Sequence, residues 1–133
     1  MARQFSVAVR NARAAAIEST IGASPTLEIR TGPQPADCAT ADSGSLLASL
    51  ALPADWLGAP VNGVVSLSGT WQDLSADAPG TAAHYRIKQG ASCHEQGSVS
   101  TTGGGGDLQV NNTNFAATQP FSITAWSSTE GGA

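Results

Sequence analysis

The sequence predicts a mainly β fold, an antiparallel β-sandwich of jelly-roll type preceded by one N-terminal α-helix. Three observations predict it. A single stretch, Gln4–Ile21, lacks Pro and Gly and is rich in Ala and Arg, which are good helix formers. After Pro25 the apolar residues recur at every second position in short runs divided by Gly, Pro, Asn and Asp. Charged residues make up only 12% of the chain against 41% hydrophobic, so Ser, Thr, Ala, Gly and Asn must supply a neutral polar surface. Such a surface loses little hydration when a partner covers it. The 133 residues match one domain: helix over 1–22, sandwich over 25–128 and a loose tail over 129–133.

The elements follow in order. On a helical wheel Phe5, Ala8, Val9, Ala12, Ala15 and Ala16 share a face, with Arg3, Ser6, Arg10 and Arg13 opposite. The alanine face is expected to dock, either on the chain's own sandwich or on a neighbouring subunit, and Gly22 with Ser24-Pro25 ends the helix. Thr26–Thr31 alternates, Leu27 and Ile29 against Glu28 and Arg30, as a half-buried strand does. Leu46–Leu52 gives a second strand, closed by Pro53. Val65, Leu67, Gly69 and Trp71 line a third. In the fourth, Ala83, Tyr85 and Ile87 oppose Ala82, His84, Arg86 and Lys88, which are expected to face solvent. A hairpin at Gly90–Ser92 leads into Cys93–Thr101. Gly103–Gly106 reads as a flexible tip before Asp107–Asn112, and Phe121–Ser127 is the last strand. The expected interior is Leu27, Ile29, Leu50, Leu67, Tyr85, Ile87, Val110 and Ile123.

The chemistry the residues offer is sparse. The net charge is −4, and the three N-terminal arginines are too few to track a phosphate backbone. Arg10, Arg13 and Glu18 interrupt any apolar leader, and no run is long enough for a membrane span. Nucleic-acid and membrane partners are therefore not expected. Cys38 and Cys93 read as two buried or half-buried thiols in a reducing cytoplasm, with a bridge between them left open. With His84 and His94 they lack the paired spacing of a zinc site, and no metal or cofactor is expected. The carboxylates look dispersed, and no GxSxG elbow or phosphate loop occurs. Trp126 falls opposite Phe121, Ile123 and Ala125, so it is expected to be exposed as an interface anchor.

Four segments, in this order and spacing, carry a resemblance: RNARAAAIESTIGASPTLEIRTGPQPA, SGSLLASLALP, NGVVSLSGTWQDLSADAPGTAAHYRI and DLQVNNTNFAATQPFSITAWS. From Asn11 to Thr129 the chain resembles small β-sandwich virion proteins encoded among the head and tail genes of tailed bacteriophages. The resemblance implies a non-enzymatic capsid cement, or decoration, protein on the capsid surface, assembled in the host cytoplasm. Its implied partners are the major capsid protein and further copies of itself, as a homodimer or homotrimer. A tail, baseplate or fibre component, including a host-surface adhesin, is the alternative. A small wall hydrolase would need paired carboxylates or a metal. No catalytic residue carries over, because Asp77, Pro79 and Gly80 of SADAPGT read as a turn. Cys38 and Cys93 lie outside the motifs. Phe5, Val9, Arg10, Arg13 and Trp126 are the expected partner-facing residues, with the arginines directed at acidic patches on a neighbour.

Overall fold

The computed structural model describes residues 3–131. Ser6 caps the helix, its hydroxyl accepting from the Val9 N–H at 3.2 Å, so α1 runs Val7–Ile21 rather than starting at Gln4. The helix stops at Gly22, whose φ of 95° few side chains tolerate and whose N–H donates to the Glu18 carbonyl. Eleven short strands follow among the described residues: β1 Thr26–Arg30, β2 Leu46–Ala51, β3 Val64–Ser66, β4 Trp71–Asp73, β5 Gly80–Thr81, β6 His84–Gln89, β7 Ser92–Thr101, β8 Leu108–Val110, β9 Asn114–Phe115, β10 Phe121–Ile123 and β11 Ser127–Thr129.

The fold is mainly β with one helix, around a curled, mixed sheet of order β2-β1-β6-β7-β8. Three two-stranded pairs, β10-β4, β11-β3 and β5-β9, complete it. Register explains the core. Leu50, Leu27 and Ile87 lie abreast across three strands, and Ala48, Ile29 and Tyr85 form the next row. Side chains so aligned pack directly against one another. One apolar cluster extends from Ala14 on α1 to Trp126. Of the expected interior, Leu27, Ile29, Leu50, Tyr85, Ile87, Val110 and Ile123 are buried, and Leu67 packs half-buried against them.

Two strands are shorter than the alternation implied. Gly69, at φ 75°, separates β3 from β4, and the last run breaks after Ile123 into β10 and β11. The pair β7-β8 is parallel, which departs from an all-antiparallel sheet. A parallel neighbour ordinarily needs a long crossover. Here the chain doubles back within Thr102–Asp107, where Gly103 and Gly105 adopt φ of 87° and 83°. The glycine run is thus a tight return rather than a free tip. Gly104 N–H donates to the Thr101 carbonyl, and the Ser98 N–H and hydroxyl both meet Asp107 Oδ2.

The SADAPGT segment bends without a hydrogen-bonded turn of its own, Gly80 opening β5, and the bend is anchored. Asp77 N–H donates to the Leu47 carbonyl and Ala76 N–H to that of Gln119. The C-terminal end is also tied down. Thr129 pairs with Val64, and Glu130 donates its N–H to the Gly63 carbonyl and pairs with Arg13 at 3.0 Å. Thr129 and Glu130 are therefore not part of a loose tail, and residues 132 and 133 lie outside the described residues.

Candidate interaction surface

Of the two places the alanine face could dock, the chain's own strands are not the one it uses. Ala14 and Ile21 are buried and Ile17 packs on the core, while Ala8, Val9, Ala12, Ala15 and Ala16 face solvent. The buried side carries polar groups that serve backbone atoms of the β3 approach. Asn11 Oδ1 accepts from the Gly63 N–H at 2.7 Å, Glu18 Oε2 from the Leu57 N–H at 2.8 Å, and Arg10 Nη1 donates to the Asn62 carbonyl at 2.8 Å. These groups would otherwise stand unpaired beneath the helix, which costs more than exposing a row of alanines. Gly63 fits here because a Cβ would lie 3.0 Å from Arg10 Cβ and 2.9 Å from the Glu130 carbonyl oxygen.

The five expected partner-facing residues separate accordingly. Val9 is exposed. Phe5 is half-buried, with the Arg3 and Arg13 guanidinium carbons 5.3 and 5.0 Å from its ring centre. Arg10 and Arg13 are engaged within the chain, by Asn62 and Glu130, rather than held out toward a neighbour. Trp126 is buried, contrary to the expectation, because the strand ends at Ile123 and the chain turns its indole inward. Trp71 stands between Trp56 and Trp126, with ring centres 6.0 and 5.8 Å apart.

The opposite face of the central sheet is also covered. His84, Arg86 and Lys88, expected at the surface, are buried. The segment Thr31–Ser45 closes over them. Asp42 bonds Arg86 at 2.6 Å, Lys88 at 2.6 Å and Arg30 at 3.2 Å, and Glu28 pairs with Arg30 and Lys88. Arg86 further donates to the carbonyls of Asp37 and Thr40 and to Gln96. The hydrogen bond from Lys88 is the main cause holding the Asp42 carboxyl at about 2; burial opposes it, and Arg86 and Arg30 add to the lowering. His84 Nδ1 lies 3.0 Å from the Gly32 carbonyl, while its Nε2 is buried without a partner.

Cys38 and Cys93 form a disulfide that joins this segment to β7, so they are not the two thiols first expected. Among the described residues, no group of His, Cys, Asp and Glu is arranged to hold a metal. No helix there is long and apolar enough to cross a membrane.

Two carboxylates that look unrelated in sequence, Glu95 and Asp107, line one trough of about 340 Å³ with Tyr85, Gln96, Trp126 and Ser127. The Tyr85 hydroxyl donates to Glu95 Oε2 at 2.6 Å. Burial raises the Glu95 carboxyl, against the lowering effect of that hydrogen bond. Burial, then the Glu95 charge, raises the Tyr85 phenol. Gly97 permits the crowding, since a Cβ there would be 2.7 Å from the Tyr85 ring. A carboxyl whose folded value is raised binds its proton more tightly when folded, so ionising Glu95 costs stability as pH rises above 4.5. Glu95→Gln keeps an acceptor for Tyr85 and removes that cost. Its urea midpoint is expected to match or exceed that of the parent chain at pH 7, with the gain fading toward pH 4. A clear loss at pH 7 would show the ionised pair to be stabilising.

The arrangement offers one exposed apolar helix face, one covered charged sheet face and one acidic trough. No family model, curated protein or solved structure matches the chain.

Proposed function

We propose that the chain is a non-enzymatic structural protein of a tailed-bacteriophage particle, a capsid cement protein with a sandwich-like domain. It bridges neighbouring major capsid proteins at the shell surface and associates with copies of itself. The observation that carries this reading is the helix face. The alanine- and valine-bearing side of α1 is left in solvent, where a Val9–Ala12–Ala16 stripe can lie very close to another backbone. The resemblance of the four segments to small virion proteins supports the same reading. So does the neutral surface: the cations of β1 and β6 are paired inside the chain with Glu28 and Asp42. Weak contacts of this kind suffice when many copies act together on one shell.

Deleting residues 2–20 is a poor test, because Ala14 and Ile17 belong to the packed interior. Substituting Ala12→Glu with Ala16→Glu alters only the exposed stripe. Shells assembled without this chain are mixed with either form and sedimented. The parent chain is expected to co-sediment in hundreds of copies per shell. The double variant, with an unchanged thermal midpoint, is expected to lose binding at least tenfold. Parent chain that stays in the supernatant defeats the cement reading, and equal binding of both forms removes the helix from the contact.

A further inference from the structure

We propose that Thr31–Ser45 is a redox-released strap, locked over the charged sheet face by the Cys38–Cys93 disulfide and freed when that bond is reduced. The segment leaves the sheet at the end of β1 and returns at the start of β2, crossing β6 and β7 on the way. Its attachments are of two kinds. One is the disulfide to β7. The others are polar: Asp42 to Arg30, Arg86 and Lys88, the carbonyls of Asp37 and Thr40 to Arg86, that of Pro35 to Gln96, and that of Gly32 to His84. The apolar cluster takes no residue from 31–45, and Pro35 is the one buried residue of the strap. Each polar contact is exchanged against water when the strap lifts, so its net hold is small. The disulfide has no such exchange, and it sets how far the strap can move.

The bond is reachable, since both cysteines are half-exposed and the neighbouring Ala39 and His94 are exposed. A dithiol supplies the electrons. Its thiolate attacks one sulfur, forming a mixed disulfide and expelling the other cysteine as a thiolate that takes up a proton. The second thiol of the reductant then closes its own disulfide and releases the first cysteine. Two cysteine thiols form and one dithiol is oxidised.

Lifting the strap carries Asp42 away and leaves Arg30, Arg86 and Lys88 facing Glu28 alone, an excess of positive charge on an uncovered sheet face. A chain made in a reducing cytoplasm would carry the strap unlocked, and release into an oxidising medium would lock it. That timing rests on the particle reading above, while the switch does not.

Hydrogen exchange on the intact folded chain, with and without dithiothreitol, tests the switch. The Thr31, Thr40 and Ser45 amides, which bond within the strap and its ends, report on it. Reduction is expected to speed their exchange at least tenfold while Leu27, Ile29, Tyr85 and Ile87 stay protected. A Cys38→Ser, Cys93→Ser double variant is expected to show the reduced pattern without reductant and to ignore dithiothreitol. Unchanged exchange in the strap would overturn the proposal, as would equal loss of protection throughout the sheet. A double variant that keeps the oxidised pattern would overturn it too.

Discussion

Asp42→Asn lowers stability at neutral pH by about 1–2 kcal/mol, because it removes the carboxylate, itself about a third exposed, that Arg86 and Lys88 share. Arg86 is only 2% exposed and Lys88 8% exposed, and both reach Asp42 at 2.6 Å. Glu28 still serves Lys88 and Arg30, and Asp42 is open to water, so the loss stays below that of a fully buried pair. In a domain of this size that loss is a fall of roughly 5 °C in thermal midpoint. The pH dependence has a definite sign. The folded carboxyl is held at about 2 against an ordinary value of 3.8, so its contribution is complete above the ordinary value and disappears as pH falls from there toward 2. Urea midpoints of the parent and variant should therefore be well separated at pH 6 and converge near pH 2. A separation that persists unchanged at pH 2 would show that the ionised carboxylate is not what holds the cluster.

Alternation made the inner face of the central sheet legible, because Leu27, Ile29, Leu50, Tyr85 and Ile87 recur with the period of the pleat and are buried. The same rule placed His84, Arg86 and Lys88 in solvent, and it failed there for a non-local reason. What covers them is a strap whose own residues carry no periodic signal, held by Asp42 and a cystine joining positions 55 apart in sequence. The helix was legible as a helix but not in its orientation. Alanine contrasts too little with polar residues for a wheel to decide, and the deciding groups, Asn11 and Glu18, bury themselves by serving backbone N–H donors at Gly63 and Leu57. The Glu95–Asp107 trough was hidden because its two carboxylates meet only through the parallel return of β8 beside β7. A signal for that return existed in the Gly103–Gly106 run, whose positive φ values let the chain reverse so tightly.

Trp71→Ala is expected to cost about 4–5 kcal/mol, the largest loss for a single truncation in the interior. Trp71 is the middle ring of the three-tryptophan row and is 1% exposed. Its indole N–H donates to the Ser68 carbonyl at 3.1 Å across the Gly69 bend, so the substitution also frees a turn acceptor. Each tilted ring pair adds about 0.5–1.5 kcal/mol beyond area burial, and Trp71 belongs to both pairs. Trp126 belongs to one pair and keeps an edge on the trough, so Trp126→Ala should lose less. The strand pairs β10-β4 and β11-β3 make the consequence more than local. Trp71 sits opposite Ile123 in the first, while Trp126 directly precedes the second and its carbonyl accepts from the Leu67 N–H. Removing the middle ring thus loosens both short pairs from the central sheet at once. Thermal midpoints measured side by side decide the matter: Trp71→Ala is expected to fall by roughly 15 °C and further than Trp126→Ala. If Trp126→Ala is equally or more damaging, the row has no centre at Trp71, and its Trp126 end carries the packing.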